Sequence, residues 1–174
     1  MQKLGRDIER LLRERLQRVL DAVASEFPFA VQAFAEEHLH EGRRPGRRNT
    51  TRKLYVDTGR LVRSLVPNRP GNIYRKRATP AGLELEYGID LDVVPYARIH
   101  ELGGMIVPRR KRVLAWVWEG PRPQTPAEWR RARQEGRAAY ALRVTIPARP
   151  YLGPALNKAI RNWLPKAVER AWQG

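Results

Sequence analysis

The chain has 174 residues, no cysteine, and 34 Lys and Arg against 18 Asp and Glu, giving a net charge of +16 and a pI near 11.2. These values exclude disulfides, thiol chemistry and thiolate metal sites, and they mark a protein drawn to polyanions or to acidic partners. A hydrophobic content of 42% supports one domain with a real core, while no stretch approaches the roughly 20 apolar residues of a membrane span. Met1 to Asp7 is charged and lacks the apolar run of a secretory signal, so a soluble product of a cytoplasm is expected.

Residues 5 to 27 read as an amphipathic helix, because Ile8, Leu11, Leu12, Leu16, Val19, Leu20, Val23 and Phe27 recur at steps of three and four. Pro28 should break it. A second helix is expected over 29–40, with Val31, Phe34 and Ala35 as its apolar side, before Gly42 and Pro45-Gly46 end it. Residues 1–41 thus form an N-terminal helical arm. Residues 42–53, with Arg43, Arg44, Arg47, Arg48 and Arg52, are expected to be an exposed, mobile basic loop.

The core begins at residue 54. Asp57 or Thr58 is expected to cap a short helix through Leu61, Val62 and Leu65, with Pro67 as its stop. Two strands follow, Ile73 to Ala78 and Leu83 to Ile89, joined by a turn at Thr79-Pro80-Ala81-Gly82. Pro95 suits the first turn of a short helix, Tyr96 to Leu102, which stops at Gly103-Gly104. Met105 to Val107 is a brief strand, Arg109-Arg110-Lys111-Arg112 a basic tip, and Val113 to Trp118 another strand.

Residues 119–140 read as an insertion in which Thr125-Pro126-Ala127-Glu128 has capping-box spacing and opens a basic helix that stops at Gly136. Ala141 to Ile146 is expected as a strand. The final helix, about 150–172, carries Leu152, Leu156, Ile160, Trp163, Leu164, Val168 and Trp172 as its buried stripe and a kink at Pro165. The order implies an α+β fold: a mostly antiparallel sheet packed by a long N-terminal helix and a C-terminal helix, with short helices between strands.

Candidate chemistry is sparse. His38 and His40 with Glu41 would diverge on a helix and read as exposed polar residues rather than metal ligands. His100-Glu101 has glycine at residue 104, where a zinc-protease motif needs its second histidine, so the pair is expected to tie its helix to the neighbouring sheet or subunit by hydrogen bonds. Asp90, Asp92 and Glu101 read as a solvated turn and a cap. No catalytic residue, cofactor or metal is expected. The basic clusters Arg43 to Arg52, Arg109 to Arg112 and Arg130, Arg131 and Arg133 are candidate contacts to DNA or a partner, without a signature of sequence-specific readout. Trp116 and Trp118 share a strand face; core or interface packing is the expected use, with stacking on bases as the alternative.

Three segments stand in a fixed order. Asp57-Thr58-Gly59-Arg60-Leu61, continuing to Ser64, resembles the "DTGRL..S" signature of the tail-completion and head–tail joining proteins of tailed bacteriophages. Tyr96 through His100, Glu101, Gly103 and Gly104 resembles their "Y…HE.GG" element, and Ile146-Pro147-Ala148-Arg149-Pro150-Tyr151-Leu152 their "IPARPFL" element. The match spans roughly 54–160 and is closest to the virion-morphogenesis type of Mu-like phages. The resemblance implies a structural, non-enzymatic virion protein assembled in the bacterial cytoplasm. It would form a ring, commonly hexameric, between the head connector and the tail tube, around the channel through which DNA leaves the head. The alternative, from charge alone, is a non-specific nucleic-acid-binding protein.

Overall fold

The computed structural model describes residues 2–40, 53–55, 59–79, 82–109, 112–117 and 120–173. The fold is α+β, as expected. Its first element corrects the two-helix expectation: α1 runs unbroken from Gln2 to Glu36 with Pro28 inside it. Proline lacks the N–H that would serve the carbonyl one turn upstream, that of Ala24. Here the Tyr74 hydroxyl donates to the Ala24 carbonyl instead, and Pro28 itself is fully buried. The orphaned acceptor is therefore paired, and the helix continues.

α1 buries Val19, Val23, Phe27, Val31 and Ala35, a row with strict four-residue spacing. Against it, antiparallel, lie α5 (Leu152–Lys158), a π-helical turn (Ala159–Trp163) and α6 (Leu164–Gln173). Glu37 meets Lys158 at 2.7 Å, Phe27 meets Trp163 with ring centroids 6.0 Å apart, and Glu26 meets Arg170 at 3.2 Å. The expected stripe of large residues is corrected. Tyr151, Ala155, Ala159 and Ala167 are buried, Leu152, Leu156, Trp163 and Leu164 are half-buried, and Ile160, Val168 and Trp172 are exposed. Small side chains let the two helices approach closely, which pushes the bulky ones to the flanks. Just before Pro165 the helix widens: the Leu164 N–H bonds the Ala159 carbonyl in the π pattern. That wider turn makes room for the proline ring, which would clash with the carbonyl of Arg161 in an ideal α-helix.

α1 ends at Glu36 rather than residue 40, and β1 (Leu39–His40) pairs in parallel with β2 (Leu54–Tyr55). Beyond them lies α2 (Arg60–Leu65). Its N-cap is Gly59, in the left-handed region at φ 70°, and not Asp57 or Thr58, which fall outside the described residues. The hairpin β3 (Asn72–Thr79) and β4 (Gly82–Ile89) matches expectation, registered from Asn72↔Ile89 to Thr79↔Gly82. α3 (Ala97–Leu102) starts after an N-cap at Tyr96, so Pro95 stands before the helix and not in its first turn.

β5 (Gly104–Ile106) pairs antiparallel with β8 (Val144–Ile146), and β6 (Leu114–Val117) with β7 (Ala138–Ala141). The expected strand 141–146 is thus split at Leu142 and Arg143, and β7 begins inside the segment read as an insertion. That segment is a β–α–β connection: α4 (Pro126–Gln134) leads from β6 back to its own partner strand. The capping box forms. Thr125 Oγ1 accepts from the Glu128 N–H at 3.2 Å, and the Glu128 carboxylate accepts from the Gln124 N–H at 2.7 Å. Among the described residues the strands make separate two-stranded ladders, three of them antiparallel. The main core joins Phe27, Val31 and Ala35 of α1 to Leu61, Leu65, Tyr87, Val94, Ala97, Tyr151 and Ala155.

Candidate functional site

The second and third sequence motifs meet face to face. Glu101 sits on α3, and its carboxylate accepts three backbone N–H groups from the entry of α5: Tyr151 at 2.8 Å, Leu152 at 3.0 Å and Gly153 at 2.8 Å. The first N–H groups of a helix have no intrahelical partner, so an anionic acceptor there satisfies them and complements the helix dipole. Two residues before Tyr151, a main-chain bond runs from the Arg149 N–H to the His100 carbonyl at 2.8 Å.

Gly103 completes this junction. It holds φ 71°, and a Cβ on it would stand 2.7 Å from the Ala148 nitrogen and 3.0 Å from the Ile146 carbonyl oxygen. Only glycine allows that conformation and that approach together. Pro147 and Pro150 are exposed and Arg149 half-buried in the extended segment that passes over it. Tyr151 then drives its ring into the core, where it is 1% exposed. Burial, reinforced by Glu101 and Tyr96, pushes its phenol pKa far up, so it stays neutral.

The first motif reaches the same core from the other side. Leu61, Ser64 and Leu65 of α2 are buried, and Ser64 Oγ donates back to the Leu61 carbonyl at 2.7 Å. The last carbonyls of α2 are served by the hairpin: Asn72 Nδ2 donates to Ser64 O at 3.1 Å, and the Tyr87 hydroxyl donates to Leu65 O. Burial raises the Tyr87 pKa to about 12. Leu61 and Leu65 share one cluster with Ala97 and Tyr151, so parts of all three motifs pack around one centre.

His100 is half-buried, edge-on to Tyr96 with centroids 5.7 Å apart, and its Nδ1 has no hydrogen-bond partner among the described residues. Burial lowers its pKa, and the nearby Arg149 charge adds to that. Asp90 and Asp92 do separate work from Glu101: Asp90 Oδ1 accepts the Asp92 N–H at 2.9 Å within a turn. His38 lies in a turn and His40 in β1, which corrects the helical context expected for them. Among the described residues no group of three His, Asp or Glu is placed to hold a metal.

Of the basic candidates, Arg43, Arg44, Arg47, Arg48, Arg52, Arg110 and Lys111 lie outside the described residues, as do Asp57, Thr58 and Trp118. Arg109 and Arg112 are exposed. Arg109 lines an open groove of about 1050 Å³ between the β6–β7 ladder and α4, with Arg122, Arg130, Trp129 and Tyr140. The sequence offered no sign of this groove, because its residues come from four separate segments. Two apolar surfaces are also uncovered. Ile8, Leu11, Leu12 and Leu16 on α1 are 50–55% exposed, and Leu102, Met105 and Val107 in and beside β5 and Leu142 before β8 are exposed as well.

No protein-family model, curated protein or solved structure matches the chain.

Proposed function

We propose that the protein is a structural part of a phage neck or upper tail. It assembles as a ring that joins the head connector to the tail and surrounds the DNA exit channel. The observation that carries this reading is the Glu101 junction. The residues that resemble the family's second and third elements are engaged with each other, and the use of Glu101 and Gly103 is architectural: one neutralises a helix entry, the other permits a close crossing. Binding, not chemistry, is then the work of the molecule.

The exposed apolar residues of α1 and of the β5–β8 ladder fit this role, since a monomer gains nothing from leaving them in water and a neighbouring subunit would cover them. The basic tip at Arg109 and Arg112 would face DNA or an acidic neighbour.

The test is the solution mass of nuclease-treated protein by light scattering, with negative-stain images, alone and after adding purified connector. Closed rings, free or seated on the connector, are expected. A monomer that ignores the connector and forms large complexes only with DNA would overturn the reading. Changing Arg109, Arg110, Lys111 and Arg112 to glutamate should impair joining while leaving the subunit folded, and unaltered infectivity would count against the role given to that tip.

A further inference from the structure

We propose that the groove between α4 and the β6–β7 ladder binds a single strand of nucleic acid, with arginines on its phosphates and its aromatic rings against its bases. This goes beyond the neck reading and does not depend on it. Arg109, Arg122 and Arg130 line the groove from three different segments, and among the described residues no acid lines it. None of the three has a carboxylate partner among the described residues.

Two acids, Glu128 and Glu135, lie close to the groove residues in sequence. The Glu128 carboxylate accepts from the Gln124 N–H, and its pKa is lowered first by that bond and then by its bonds at Thr125. Glu135 lies between Arg137 and Arg131, whose hydrogen bonds lower its pKa in turn. Both carboxylates stay ionised, but within α4 Arg130, Arg131 and Arg133 outnumber Glu128, so the helix keeps a net positive charge.

Charge alone would suit any polyanion. The rings narrow the choice. Trp129 and Tyr140 line the same groove, tilted against each other with centroids 5.7 Å apart, and Arg133 lies over Tyr140 at 5.5 Å. Tyr140 and Arg133 thus back the half-buried Trp129, and an arginine-lined channel with such an indole suits unpaired bases, which offer a π face whatever their sequence. A duplex hides those faces, and an acidic peptide has none. The walls are stiffened by Pro108, Pro123 and Pro126, so little order has to be imposed on binding.

The experiment is fluorescence anisotropy of the full chain with a labelled oligothymidylate of about 12 nucleotides, its duplex counterpart, and polyglutamate as competitor. The variant Arg122→Glu/Arg130→Glu is compared with Arg69→Glu/Lys166→Glu, which changes the charge equally at exposed positions outside the groove. The groove variant should raise the single-strand Kd by about tenfold or more, and the control by less than about threefold, because contacts inside the groove are closer than diffuse attraction. Trp129→Ala should weaken the single strand and leave any duplex binding unchanged. Four outcomes would overturn the proposal: no single-strand binding, equal loss in the two double variants, duplex bound as well as the single strand, or displacement by polyglutamate at equal charge.

Discussion

Tyr74 donates its hydroxyl hydrogen to the main-chain carbonyl of Ala24, the acceptor that Pro28 leaves without a helical N–H. A residue of the β3–β4 hairpin thereby permits an uninterrupted N-terminal helix. Burial raises the Tyr74 pKa, which keeps the donor proton in place. Tyr74→Phe should cost about 1–2 kcal/mol by leaving a buried carbonyl unpaired. In a Pro28→Ala background the helix regains its own N–H donor, and the same change should cost about 0.5 kcal/mol or less. A double-mutant cycle by urea denaturation measures the difference. Equal costs in the two backgrounds would separate Tyr74 from Pro28.

Glu101→Ala removes the acceptor of three main-chain N–H groups and should cost about 3 kcal/mol, since bonds to a charged group are the stronger kind. For a chain of this size the melting temperature would fall by about 6–12 °C. Glu101→Gln keeps one acceptor oxygen and should recover part of the loss. Calorimetry of the two variants decides. A Glu101→Ala protein as stable as the parent would remove the junction from the account of the fold.

Gly103→Ala meets two penalties at once. Its backbone, φ 71° with ψ −177°, lies in a region essentially confined to glycine and costs an L-residue about 1–3 kcal/mol, and the new methyl carbon would stand 2.7 Å from the Ala148 nitrogen. The expected total exceeds the strain of φ alone, because both close atoms belong to backbone. Gly136 also has positive φ, but nothing lies near its Cβ position, so Gly136→Ala reports a positive-φ penalty without a steric clash. Stability of the two variants in urea should rank Gly103→Ala as clearly worse.

The lowered pKa of His100 predicts a direction in pH. Above its ordinary value of 6.5 both folded and unfolded chains hold a neutral imidazole. As pH falls below 6.5, the unfolded chain takes up a proton that the folded chain resists, so stability is lost until the folded pKa is reached. His100→Gln lacks that term. Its melting temperature should decline less than that of the parent between about pH 7 and pH 5. Parallel declines would show that His100 titrates alike in both states.

Leu12 and Val31 lie on the same helix, one about half exposed and the other fully buried. Val31→Ala should cost about 2 kcal/mol in the subunit. Leu12→Gln at low protein concentration should change stability by no more than about 0.5 kcal/mol and should weaken self-association, read by sedimentation. A large stability loss from Leu12→Gln in the monomer would mean that its row packs within the subunit.

The amphipathic period of α1, the β3–β4 hairpin, the Thr125 capping box and the Gly103 stop were all legible in the residues, because each is governed by neighbours a few positions away. So was the α+β class. Locally governed signals failed where a distant residue intervened. Pro28 reads as a helix break until Tyr74 supplies a donor from a strand that lies far along the chain. The large residues Ile160, Val168 and Trp172 read as a buried stripe until close packing against α1 selects Ala155, Ala159 and Ala167. Glu101 could be suspected of making a structural hydrogen bond, but not of sealing the entry of α5, and Arg109, Arg122, Arg130, Trp129 and Tyr140 carry no common sequence pattern. Short-range periodicity and capping belong to the sequence; which orphaned carbonyl is met, which helix face is covered and which charges share a groove depend on segments brought together only by folding.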